Sequence, residues 1–96
     1  MLKITIHDTP AAFRLQLEGK LAGPWVAELE SCWRTGASTI EERRLVVDLK
    51  DVIFVDTAGR YLLALMHQSG ANFETGEPMM RALVEEITRP QPVRAR

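Results

Sequence analysis

The stretch Leu45-Val46-Val47-Asp48-Leu49-Lys50-Asp51-Val52-Ile53-Phe54-Val55-Asp56-Thr57-Ala58-Gly59, followed by Arg60-Tyr61-Leu62-Leu63-Ala64-Leu65-Met66, decides how the chain folds. A β-branched and aliphatic run, too apolar for a half-exposed strand, reaches a short polar knot at Asp56-Thr57 and then changes to helical spacing. The spacing predicts a buried strand over 45–49, continued by 52–55, that feeds a helix from about Thr57 to Ser69. The helix has Tyr61, Leu62, Leu65 and Met66 on its apolar side and Gly70 at its C-cap. The knot then sits at the carboxyl end of the sheet. There the first N–H groups of the helix lack partners, and α/β proteins usually place ligands or modifications there.

Upstream of this stretch, Leu2, Ile4 and Ile6 alternate with polar residues, and so do Phe13, Leu15 and Leu17. This is the period-two pattern of strands with one face inward. Asp8-Thr9-Pro10 supplies turn chemistry between them, so the two strands pair as an antiparallel hairpin. Pro24 opens a helix in which Trp25, Val26, Leu29, Cys32 and Trp33 recur at spacings of three and four, and Gly36 reads as its stop. Residues 38–44 are polar, including Glu41-Glu42, and read as a solvated connection or an extra turn of helix. A helical crossover makes the next strand parallel to the second, and the same reasoning makes a short strand at 71–75 parallel to the third. Glu77-Pro78 opens a last helix with Met80, Leu83, Val84 and Ile87 as its buried stripe. The fold class is α/β, with order ββαβαβα and a single mixed β-sheet with packed helices.

A chain of 96 residues makes one domain. It buries roughly 60–65% of the surface its unfolded form exposes and leaves little room for an enzyme's pocket and lid. The domain is expected over 1–88, with 89–96 a flexible tail carrying two prolines and three arginines. A formal net charge of −1 gives no reason to expect nucleic acid as partner. Cys32 is the single cysteine, and beside only His7 and His67 it offers no metal-ligand set. No leader and no apolar run of about 20 residues is evident, so a cytoplasmic, reduced protein without a transmembrane segment is expected. No phosphate-cradling glycine loop, nucleophile elbow or paired-histidine metal motif occurs, so no enzyme, no cofactor and no metal are expected. His7, His67 and the Glu41-Glu42 and Glu85-Glu86 pairs read as structural or solvated groups. Trp25 and Trp33 read as core packing, with partial exposure in the first turn as an interface anchor the alternative for Trp25, and Cys32 reads as a small buried hydrophobe.

The residues Val46-Val47-Asp48-Leu49, Val52, Phe54-Val55-Asp56-Thr57-Ala58-Gly59 and Leu62-Leu63, together with Leu15-Gln16-Leu17-Glu18-Gly19-Lys20-Leu21, resemble the STAS domain family of bacterial anti-sigma-factor antagonists and their relatives. The resemblance runs through nearly the whole chain and implies a STAS-like fold. It also implies partner binding through Asp56, Thr57, Ala58, Gly59 and Arg60, with an anti-sigma kinase as partner. Phosphorylated relatives commonly show Asp-Ser-Ser-Gly with the second hydroxyl as acceptor, and here that position is Ala58. Thr57 keeps a hydroxyl one residue earlier, where a phosphate would also be favoured by the helix dipole. Asp-Thr-x-Gly also resembles the STAS subunit of the Mla phospholipid-transport complex, which implies docking on an ATP-binding-cassette subunit without a phosphate switch. A small-molecule or nucleotide sensor on the same fold is the third expectation. The plainest reading of Asp56 or Thr57 remains an ordinary helix N-cap.

Overall fold

The computed structural model describes residues 1–40, 43–76 and 78–89, with the side chains at 40 and 79 outside the description. The elements are β1 (Leu2–Asp8), β2 (Ala12–Leu21), α1 (Pro24–Ile40), β3 (Arg44–Val55), α2 (Thr57–Gln68), β4 (Asn72–Glu74) and α3 (Pro78–Thr88). The expectations for Glu41, Glu42, Glu77 and the tail beyond Arg89 fall outside the described residues. One mixed sheet has the order β1-β2-β3-β4, antiparallel between β1 and β2 and parallel thereafter. This is the α/β arrangement of an N-terminal hairpin, parallel strands and packed helices that the sequence predicts.

The hairpin closes through Thr9, whose backbone N–H and hydroxyl both donate to the Ala12 carbonyl, at 3.0 and 3.1 Å. Both helical crossovers then step the same way across the sheet, so connections of one hand place α1 and α2 on one face. That face holds the core: Leu2, Phe13, Leu15, Leu17, Leu45, Val47 and Leu49 of the strands meet Leu29, Trp33, Leu62, Leu63, Met66 and Met80 of the helices. Removing one fully buried member, as in Leu63→Ala, costs about 2–5 kcal/mol by lost transfer energy and cavity.

Residues 45–49 are buried on both sides of the sheet, as expected, although the side away from the helices carries a polar cluster beside Val46. Arg14 of β2 donates one guanidinium nitrogen to Asp48 of β3 at 2.8 Å and to Glu74 of β4 at 2.5 Å, lacing three adjacent strands. Asp48 is the one buried charged residue among those described, only 5% exposed, and also accepts the Lys50 backbone N–H at 3.0 Å. The charge-assisted bonds offset its desolvation.

β3 is not a regular strand. From Gln16 to Glu18 β2 advances two residues while β3 advances three, Asp48 to Asp51; from Gly19 to Lys20 it advances one while β3 advances two, Val52 to Phe54. Two bulges therefore reset the phase of β3. Leu45, Val47 and Leu49 point into the core at period two, Val52 rejoins it after the first bulge, and Ile53 and Phe54 turn outward at 69% and 50% exposure.

α1 passes straight through Gly36, which was expected to end it, and takes up Ser38, Thr39 and the backbone of Ile40. Gly36 is buried because the Phe13 ring lies against the helix there: an added Cβ would come within 2.1 Å of Phe13 Cζ. Its missing side chain serves packing rather than termination. At the end of α2, Gly70 follows the cap residue Ser69 with φ of +98°, as a left-handed stop requires. Of the tryptophans, Trp33 is buried and Trp25 only partly so, and Cys32 is half-buried rather than fully enclosed. Gly36→Ala should therefore destabilise the fold by about 1–3 kcal/mol despite alanine's better helix propensity. Urea denaturation would read this, with Phe13→Leu in the same chain restoring part of the loss. An unchanged or raised midpoint for Gly36→Ala alone would refute the packing account.

Candidate functional site

Asp56 ends β3 and caps α2. Its backbone is extended (φ −81°, ψ −180°), and its Oδ1 accepts the Gly59 N–H at 2.7 Å, satisfying one of the orphan donors of the helix start. Its Oδ2 accepts the Gly23 N–H from the turn before α1 at 2.9 Å, and its own N–H donates to the Leu21 carbonyl at 3.1 Å. One residue thus pins the end of β2, the start of α1 and the start of α2 together. The N-cap reading holds, and Asp56 rather than Thr57 is the cap. Hydrogen bonding from the Gly23 N–H, and then from the Gly59 N–H, lowers the carboxyl below its usual pKa against a weaker opposing effect of burial.

Gly59 is buried in this junction, where a Cβ would stand 2.8 Å from the Leu21 carbonyl oxygen and 2.9 Å from Val55 Cγ1. The glycine of Asp-Thr-x-Gly is therefore set by close approach of α2 to the end of β2. Between the two fixed residues, Thr57 and Ala58 are exposed. Arg60 is half-buried, and its guanidinium is paired with Glu86 of α3, an exposed ion pair of about 0–1 kcal/mol that registers the last turns of α3 beside the first turn of α2.

Tyr61, expected on the apolar side of α2, is instead 71% exposed, and the inward stripe is Gly59, Leu62, Leu63 and Met66. The signal was present: counted from Gly59, those residues fall at steps of three, four and seven, the spacing of one helix face, and Tyr61 does not. With Ile53 and Phe54 turned out by the bulges of β3, three large apolar side chains are exposed on the two segments that flank the cap. The sequence reading placed no functional weight on any of the three.

The remaining candidates stay apart from this junction. His7 Nε2 lies 2.9 Å from Gln16 Oε1 on the polar face of the hairpin, and His67 lies near Phe73 with ring centroids 6.3 Å apart. Burial pushes the Cys32 thiol up, helped by the charge of Glu28, which disfavours the reactive thiolate. Among the described residues no three His, Cys, Asp or Glu side chains converge as a metal site, and no helix is long and apolar enough to cross a membrane. A cleft of about 530 Å³ opens near the other end of β3, lined by Trp33, Arg34, Arg43, Arg44 and Asn72 among others.

The sequence matches no protein-family model and no curated protein. Solved structures do resemble it. A chain described as Mglu is similar with a TM-score of 0.60 and 20% identity over 77% of this chain, which spans 19% of the length of Mglu. A protein of Shewanella loihica PV-4, described as an uncharacterized member of the DUF3478 family with a SpoIIAA-like fold, is similar with a TM-score of 0.53 and 12% identity. That likeness covers 86% of this chain and 91% of the Shewanella protein. The fold is therefore SpoIIAA-like, that is, STAS-like, as the resemblance in the sequence implies.

Because the Asp56 carboxyl is held below its ordinary value, its contribution to stability is fully present above the unfolded pKa of about 3.8 and is lost as pH falls through the lower folded value. Asp56→Ala should thus lower the urea midpoint by a constant amount between pH 5 and 7, and the gap should close below roughly pH 4. A gap unchanged down to pH 2 would show that the carboxylate charge does not hold the junction.

Proposed function

We propose that this chain is a protein-binding regulatory module, similar in role to an anti-sigma-factor antagonist. On this reading it docks an anti-sigma kinase through Asp56, Thr57, Ala58, Gly59 and Arg60 and the exposed side of α2. The observation that carries the reading is the combination of a rigid helix start with exposed apolar side chains around it. Asp56 and Gly59 hold the junction, while Thr57, Ala58, Tyr61, Phe54 and Ile53 are left to solvent. Large aromatic groups exposed on a fixed scaffold are what interface hot spots are made of. SpoIIAA-like folds are typically regulatory rather than enzymatic, which agrees with it.

Ala58 occupies the position of the usual phosphate acceptor, so docking proceeds without the usual phospho-switch unless Thr57 substitutes. Thr57 is the first residue of α2 and is exposed, and a phosphate there would meet the free N–H groups and positive end of the helix. The same alanine supports a second reading, a permanently docked assembly subunit of an ATP-binding-cassette lipid transporter. The cleft beside Trp33 and three arginines supports a third, a sensor of a small molecule or nucleotide.

Affinity capture from native extract, with bound proteins identified by mass, separates these readings. Wild type should retain a kinase-type anti-sigma factor, and Tyr61→Ala should weaken the complex by about 2 kcal/mol, roughly 30-fold in Kd. Retention by Thr57→Glu would mean docking without a switch, and loss would make Thr57 the switch. A transporter ATPase in place of the kinase would favour the second reading, and neither partner would end the docking proposal.

A further inference from the structure

The cleft of about 530 Å³ lies at the start of β3, the opposite end of that strand from Asp56 and outside the docking surface. Its volume is that of a small-molecule site. Arg34, Arg43 and Arg44 line it and no carboxylate does, in a chain whose formal net charge is −1. The three arginines are held differently. Arg43 is committed to the fold: it pairs with Asp8 and donates to the Thr9 and Thr39 carbonyls at 2.9 and 2.8 Å, the latter bond answering the negative end of α1. Arg34 donates Nε to Glu30 at 2.9 Å and lies over the Trp33 ring, 5.1 Å from its centre. Those two contacts orient it, while its terminal nitrogens bond to none of the described residues. Arg44 is exposed and takes part in no hydrogen bond or ion pair among the described residues.

We propose that this cleft binds a small organic anion, its carboxylate or phosphate taken by Arg34 and Arg44 and its apolar part lying against Trp33, Ala37 and Leu45. A guanidinium offers parallel N–H groups that match two oxygens of such an anion, and two arginines with donors to spare supply both the charge and the fork. Arg43 adds positive field without a bond to give, and a concave wall with no acid in it concentrates that field. Ser69 and Asn72, at the end of α2 and the start of β4, add neutral donors on the same lining. An anion of this class is what the sensor reading above would sense. That role rests on the sensor reading, whereas binding in the cleft does not.

Amide signals of the isotopically labelled chain are followed while phenyl phosphate, benzoate, benzyl alcohol or inorganic phosphate is added. Phenyl phosphate and benzoate should shift the Trp33 indole N–H and the amides of Ala37, Leu45 and Ser69 to Asn72, with a Kd near roughly 1 mM, and benzyl alcohol should not. Arg34 and Arg44 are exposed, so Arg34→Gln and Arg44→Gln keep the fold; each should weaken phenyl phosphate about tenfold, and Arg44→Lys should recover part of the loss. Lys3→Gln, which removes an equal charge from β1, should change the affinity less than about twofold. Shifts centred on another face, equal binding of inorganic phosphate, or an affinity unchanged in both glutamine variants would overturn the assignment. Benzyl alcohol binding in the cleft where the anions fail would overturn it and leave the sensor reading standing, and no binding of any probe would end both. Anion binding that leaves partner capture unaltered would uphold the site and end only the sensor role.

Discussion

The carboxylate of Asp56 is the constraint on which the rest depends. Three chain segments meet there, the last residue of β2, the turn into α1 and the first turn of α2, and each presents a backbone group to it. Asp56 satisfies the Gly23 and Gly59 N–H groups with its side chain and the Leu21 carbonyl with its own N–H. Hydrogen bonds to a charged acceptor are worth roughly twice neutral ones, so a single residue ties three segments together. The close approach it maintains is also what excludes a side chain at position 59.

That junction separates two kinds of surface. Inward of it, Val55, Gly59, Leu62 and Leu63 face the single helix-covered side of the sheet. Outward of it, the bulges in β3 move Ile53 and Phe54 to solvent, and the helical phase starting at Gly59 does the same to Tyr61. The polar face of the sheet needs no helices because Arg14 satisfies Asp48 and Glu74 across three strands. With both crossovers on one side, a chain of this length closes one core and leaves its cap end open.

Much of this was readable beforehand. Element order, strand directions and the cap followed from local chemistry: alternation in β1 and β2, Pro24 and Pro78 at helix starts, and Asp-Thr-x-Gly after an apolar run. Three readings failed, two of them because a residue's neighbours across space were unknown. Gly36 looked like a stop because the Phe13 ring that fills its place comes from another element. Tyr61 looked buried because the helical phase was set from the apolar residues instead of from Gly59. Ile53 and Phe54 looked buried because a bulge is a property of two strands together and leaves no mark in one of them.

The sequence by itself determined the class of fold, the direction of each strand and the place of the cap that opens α2. These depend on periodicity, turn residues and the handedness of connections, all of which act over short stretches of chain. Only the tertiary structure decided that Asp56 binds Gly23 as well as Gly59, that Arg60 is committed to Glu86, and which apolar residues are left exposed. Those outcomes rest on register between strands and on packing between elements distant in sequence. Both are set by the joint fit of residues that no local pattern connects.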